Sequence, residues 1–190
     1  MNNQDIARAR EYHNRTKHSP ESVRRSAQYL DWSNQPLAFK MYSTLEPIPL
    51  PQETRPAGAA APGLEGLAHL LYYSAGITRR RPYPGGEILF RAAACTGALY
   101  EIELYLVCGP LADLAAGVYH FGPADMALRR LREGDWRGAV AQATGRHAAV
   151  ADAPAIVIST GTYWRNAWKY QARTYRHFGW DNGTLHANLL

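Results

Sequence analysis

Helical and strand patterns are interleaved along this chain, and together they predict one mixed domain of helices and short strands with an N-terminal arm. Three observations carry that expectation. Leu64, Leu67, Leu70 and Leu71 sit at helical spacing and mark an amphipathic helix. Ile102 to Cys108, and Ala155-Ile-Val-Ile-Ser-Thr160 between Pro154 and Gly161, are short apolar runs that read as strands, the second a buried one. From Thr162 to Asp181 the chain is dense in aromatic rings and cations, with Arg165, Lys169, Arg173 and Arg176 spaced to share one face of a helix. Like charges at that spacing repel, so such a face is either well solvated or turned toward something anionic.

The chain has 190 residues, of which 46% are hydrophobic and 19% charged, enough apolar material to build one core. No apolar run reaches the roughly 18 residues of a membrane span. The polar start, Met1 to Arg10, has no signal-peptide region. With Cys95 and Cys108 the only cysteines, a disulfide scaffold is not expected and a reduced, cytoplasmic setting is. A formal net charge of +5 suggests an anionic partner such as a phosphate, a nucleotide, a nucleic acid or an acidic peptide, but charge alone leaves ordinary surface charge as the favoured reading.

In chain order, residues 1–56 read as an N-terminal extension. Ile6 to Arg15 suits a short helix. Ser19 and Pro20 suit the cap and first position of a second helix, running to about Leu30. Asp31 to Pro36 is rich in turn formers, and alternating Pro47, Pro49 and Pro51 favour an extended strap. His13, Lys17 and His18 lack accompanying cysteine or acidic ligands, so they read as surface residues and no metal is expected. A small-residue linker, 54–63, leads into a domain over 57–190. Its first helix stops near Gly76. Ile77-Thr-Arg-Arg-Arg81 then forms a cationic cluster that either complements the helix dipole or binds an anion. Pro82 to Gly86 reads as a loop. The small residues from Arg91 to Tyr100 would let backbone N–H groups approach a flat or phosphorylated ligand, without the spacing of a P-loop or dinucleotide fingerprint. Gly117 to Phe121 suits a strand and Trp136 to Thr144 a helix. Asp181 or Asn182 would cap a last helix, Gly183 to Leu190, whose apolar end calls for a partner subunit or a further C-terminal portion.

Several segments resemble the motifs of one family. Arg91-Ala-Ala-Ala-Cys-Thr-Gly-Ala-Leu-Tyr-Glu-Ile-Glu-Leu-Tyr105 resembles Arg-x-x-Pro-Ser-x-Gly-Ala-x-Tyr-Pro-x-Glu-x-Tyr. Gly117-Val-Tyr-His-Phe resembles Gly-x-Tyr-His-Tyr. Trp168-Lys-Tyr-Gln-Ala-Arg-Thr-Tyr-Arg176 resembles Lys-Tyr-Gly-x-Arg-x-Tyr-Arg, and Asp181-Asn-Gly-x-x-x-x-Asn188 the helix after it. Tyr12-His-x-x-Thr-Lys-His18 and Leu30-Asp-Trp-Ser-Asn-Gln-Pro36 match a subgroup. These are motifs of the SagB-type dehydrogenases, the azoline-oxidase branch of the nitroreductase superfamily, and the resemblance covers nearly the whole chain.

The resemblance implies an α+β fold with a mainly antiparallel sheet flanked by helices. It also implies a homodimer with flavin mononucleotide (FMN) at its interface, and dehydrogenation of a peptide azoline or related small substrate. Lys169 and Tyr170 correspond to the family's proposed catalytic pair. Arg165 and Arg173 beside Lys169 would favour its neutral amine, fit for a general base. Arg79, Arg80 and Arg91 would suit the flavin phosphate or its electron-rich edge. Cys95, Thr96, Gly97 and Ala98 would offer backbone donors, and Arg173 and Asn188 complete the expected cofactor set. The chain departs from the motif at Ala94 and Cys95, in place of Pro-Ser, and at Glu101, in place of Pro. Family members also continue past the Asn-Leu-Leu helix, so this chain looks C-terminally truncated. The alternative is a non-catalytic scaffold or partner domain that has lost flavin. A nucleic-acid partner is not expected, since no recognised motif accompanies the basic and aromatic residues.

Overall fold

A computed structural model describes residues 5–25, 29–52 and 62–190. The extension opens with α1 (Ile6–Thr16), where the Asp5 carboxylate accepts from the Arg8 backbone N–H at 3.2 Å. In α2 (Pro20–Arg25) the expected cap is present in reciprocal form. Ser22 N donates to Ser19 Oγ at 3.0 Å and Ser19 N to Ser22 Oγ at 2.8 Å. A 3-10 turn at Trp32–Asn34 follows, with Asp31 Oδ1 accepting from Ser33 N. The linker expected at 54–63 lies, except for its last two residues, outside the described residues.

One five-stranded sheet holds the structure together. Its strands are β1 (Pro47–Pro49), β4 (Ile102–Cys108), β5 (Gly117–Gly122), β6 (Ala127–Glu133) and β7 (Ala155–Gly161), in the order β1-β6-β5-β4-β7 with every pairing antiparallel. The proline strap is thus an edge strand, where missing N–H groups cost least. Period-two alternation divides β4 cleanly. Leu104, Leu106 and Cys108 enter the core with Tyr119 and Phe121 of β5, while Glu103 and Tyr105 take the opposite face with His120. The core face is covered by α3 (Leu64–Ala75) through Leu67, Ala68 and Leu71, and by Leu185 of the C-terminal helix. Helix α3 draws its N-terminal acceptor from afar, with the Asp113 carboxylate 2.9 Å from Leu64 N. Two short helices, α4 (Arg137–Ala143) and α5 (Ala148–Ala151), precede β7.

Three expectations need correction. The cationic cluster at 77–81 and the loop at 82–86 are parts of a hairpin, β2 (Ile77–Tyr83) and β3 (Gly86–Arg91), turned at Gly85 with φ +99. The consecutive arginines masked its alternation, because both faces of β2 are solvated. The strand β6 was not foreseen, since Arg129 and Arg130 interrupt its apolar pattern. The cationic stretch is not one helix followed by a capped second one. It is α6 (Tyr163–Tyr170), a 3-10 turn at Gln171–Arg173, and α7 (Thr174–Leu189), so Asp181 and Asn182 lie within a helix. The break falls on Gln171, at φ 49 and ψ −131, where the resembled signature has Gly. Across the break Asn166 Oδ1 accepts from the Thr174 hydroxyl at 3.1 Å and faces His177 Nδ1 at 2.8 Å. Leu185 and, in part, Leu189 pack on the chain's own core, while Leu190 is fully exposed.

Candidate functional site

The start of α6 is fixed by charges under the sheet's second face. Arg165, 3% exposed, donates to Glu103 Oε1 at 2.6 Å, to Tyr100 O at 2.8 Å and to Leu37 O at 3.0 Å. Glu103 Oε2 lies 3.1 Å from His120 Nε2. Burial pushes the Glu103 carboxyl up, but the His120 hydrogen bond and the Arg165 guanidinium outweigh it and hold the group below its ordinary range. Tyr42 and Tyr105 rings flank His120, and Lys40 Nζ donates to Tyr105 Oη at 2.8 Å. Strand, helix and extension are therefore tied at one buried point, a single turn before Lys169 and Tyr170.

A second cluster surrounds the loop from Cys95 to Tyr100. The Cys95 thiol donates to Glu101 Oε2 at 3.1 Å and contacts Asp181 Oδ2 at 3.3 Å. Asp181 also accepts from Thr96 N at 3.0 Å and Thr96 Oγ1 at 2.8 Å. Burial and the two carboxylates push the Cys95 thiol up, so it stays protonated. Burial, with the neighbouring Asp181 adding to it, raises the Glu101 carboxyl to about 7. Thus two of the departures from the resembled motif, Cys95 and Glu101, touch each other. A thiol and two carboxylates are also donors that a divalent cation takes, but Arg91 lines the same small cavity and places a positive charge beside them. The cluster therefore reads as a hydrogen-bonded proton-sharing group. The loop itself is strained at Ala98 and Tyr100, with φ 54 and 51, while Gly97 takes φ 65 without penalty.

Gly97 brings this loop to Tyr170, for a Cβ there would collide with the Tyr170 hydroxyl. The Tyr170 ring also stands edge-on to His177 at 4.6 Å, and burial raises its phenol. Lys169 Nζ lies 5.4 Å from the Tyr170 ring centroid. Both residues line an open cleft of about 580 Å³, whose other wall is Arg15 to His18 with Ser22, Val23 and Leu30.

Of the residues picked from sequence, Cys95, Thr96, Gly97 and Tyr170 come together, and Lys169, Tyr170 and Arg173 share the cleft. Ala98 belongs to the same loop and Arg91 borders the Cys95–Asp181 cavity, whereas Arg79, Arg80 and Asn188 lie elsewhere. Arg79 is exposed beside the Phe90 ring, and Arg80 pairs with Glu87 at 3.0 Å. Asn188 donates to Tyr73 O at 3.1 Å and ties α7 to α3. Arg91 is buried between the Phe39 and Tyr100 rings, and burial lowers it to about 10. Among the described residues no acceptor takes a hydrogen bond from its guanidinium. The four-cation face also dissolves. Arg165 is turned into protein, while Arg173 donates to Thr16 O and Arg176 to Thr16 Oγ1 and His13 O. Glu101, Glu103, His120 and Asp181 were not picked out; only the resembled motif, which contains Glu103, His120 and Asp181, carried a signal for them.

FMN requires a slot for three fused rings, donors along one ring edge and cations at its phosphate. Cations are present at the cleft and at Arg91. The loop donors are largely engaged. Thr96 N bonds Asp181, Ala98 N bonds Cys95 O at 3.1 Å, Leu99 N faces Thr96 O at 3.4 Å and Tyr100 N faces Cys95 Sγ at 3.0 Å. The cavity beside Arg91 measures about 20 Å³, room for little more than one water. The described residues therefore supply part of a flavin site and do not by themselves fit the whole cofactor.

No family profile matches the chain. Three relatives share the description "putative nitroreductase". A curated protein of Methanocaldococcus jannaschii is 25% identical over 126 residues, covering 66% of this chain and 60% of that protein. A crystal structure from Anabaena variabilis superposes with a TM-score of 0.81 at 33% identity, covering 95% of this chain and 37% of its own. One from Ralstonia eutropha gives 0.57 at 22% identity, covering 75% and 69%, a likeness of fold alone. The chain thus spans 60% or less of the first two relatives. It has the nitroreductase-like α+β fold, and its relatives in sequence and structure support a place in the nitroreductase-like family.

Proposed function

We propose that the chain is an FMN-dependent oxidoreductase of the SagB type that dehydrogenates a peptide azoline or a related small substrate. The observation that carries this reading is the placement of Lys169 and Tyr170, side by side on one open cleft and anchored by the buried Arg165–Glu103 pair. Bound FMN supplies the two-electron acceptor. Aromatising an azoline also releases a proton, and Lys169 is the group placed to take it. Tyr170, braced against Gly97 and His177, orients the substrate. The described residues offer only part of a flavin site, and in this reading a second copy in a homodimer adds contacts across the interface.

In FMN-loaded protein, Lys169→Ala should leave FMN affinity within about twofold and slow azoline turnover by on the order of 100-fold, the usual weight of a general base. Loss of FMN with unchanged turnover per bound flavin would make Lys169 a binding residue instead. A second reading, a scaffold that has lost flavin, is favoured by the engaged amides of the loop. It predicts folded protein that takes up no FMN at any concentration.

A further inference from the structure

We propose that the cleft between α1–α2 and the end of α6 binds a small, multiply anionic organic molecule through cations supplied largely by the N-terminal extension. Two segments about 150 residues apart in sequence converge on it. One brings Arg15, Lys17 and His18, the other Lys169 and Arg173. Among the described lining residues none is Asp or Glu; Arg15 pairs with Glu11 at 3.7 Å, and Lys17, Lys169 and Arg173 line the same volume of about 580 Å³ without a carboxylate partner among the described residues. That size falls within the roughly 300–1,000 Å³ typical of small-molecule sites. Like charges brought together this way are held against their repulsion, and here the restraints are visible. Arg173 donates to Thr16 O, Arg176 Nε to Thr16 Oγ1 at 2.7 Å, and Tyr12 Oη to Ala172 O at 2.9 Å. The walls are thus preformed rather than drawn together by a ligand. Val23 and Leu30 line part of the cleft, which suits a ligand with a carbon skeleton as well as charge. A concave cluster of one sign focuses the field and concentrates oppositely charged solutes.

As a statement about substrate, the inference rests on the proposed function; as a statement about binding, it stands on the cleft alone. Carboxylates and phosphates share the required chemistry, so citrate and inorganic pyrophosphate are the two probes, titrated calorimetrically into the intact protein at low salt. Binding of either one supports the proposal and names the anion. Lys17→Glu should weaken it by about 10-fold, some 1.4 kcal/mol, with Lys17→Ala as a milder companion. Arg146→Glu, an equal charge change on an exposed loop away from the cleft, should change it by less than about twofold, since salt and distance screen remote charges. Equal losses for Lys17→Glu and Arg146→Glu, or no binding by wild type, would overturn the proposal. So would competition between FMN and pyrophosphate, which would make the cleft the cofactor's own phosphate site. Failure of FMN to bind at all would count against the oxidoreductase reading while leaving the anion titration untouched.

Discussion

Glu101→Gln tests the proton-sharing cluster directly. In the folded chain the carboxyl sits at about 7 against an ordinary 4.5, because it is buried beside Asp181. A difference of about 2.5 units at ~1.4 kcal/mol per unit sets an upper bound of ~3 kcal/mol on its pH-dependent contribution. Beyond burial, Glu101 is set by its hydrogen bond and charge contact with Asp181, so the value does not belong to Glu101 alone and the single-residue share is smaller. The sign follows from proton binding. Between pH 4.5 and about 7 the folded state holds a proton that the unfolded chain has released. Stability is therefore fullest below the unfolded value and is lost as pH rises through the folded one. Gln stays neutral throughout and donates where the protonated acid would. Urea unfolding at about pH 5 and about pH 8 should show variant and wild type nearly equal at the lower pH, and the variant more stable at the higher by up to ~3 kcal/mol. With slopes of about 1–3 kcal/mol per molar, the midpoints should separate by on the order of 1 M. A pH-independent difference, or a wild type that gains on the variant as pH rises, would refute the reasoning.

Other outcomes follow from the same geometry. Gln171→Gly should stabilise the chain by ~1 kcal/mol, because the present side chain sits at φ 49 where Gly meets no penalty; a lower urea midpoint would contradict this. Arg165→Met strands the Glu103 carboxylate in the interior and should cost ~3–5 kcal/mol. An unfolding midpoint within error of wild type would mean that the pair does not fix α6.

How much was legible in sequence depended on whether one pattern ruled a segment. Leu64 to Leu71 and Ile102 to Cys108 have a single clear period, and both elements are found where expected. Ser19 with Pro20 announced a helix start by local chemistry alone. The hairpin at 77–91 was missed because Arg79, Arg80 and Arg81 gave both its faces the same polarity. The break at Gln171 was missed because nothing in Gln signals a positive φ; only the Gly of the resembled signature marks the position. The site was partly legible. Lys169, Tyr170 and the 95–98 loop do lie close together, through the Gly97–Tyr170 contact. The buried Glu103–Arg165–His120 ties were not legible, since β4, β5 and α6 meet only in the folded chain. Charge counting misled most at Arg165 and Arg80, whose partners lie on other elements.

We propose that this chain takes FMN between two copies of itself. Titrating FMN into the purified protein, while following visible absorbance and mass in solution, tests it most directly. A flavin site shared by two copies should give a perturbed flavin band that saturates at one FMN per chain in a particle of dimeric mass. Folded protein that stays colourless in excess FMN would contradict it, as would saturable flavin binding by the monomer alone.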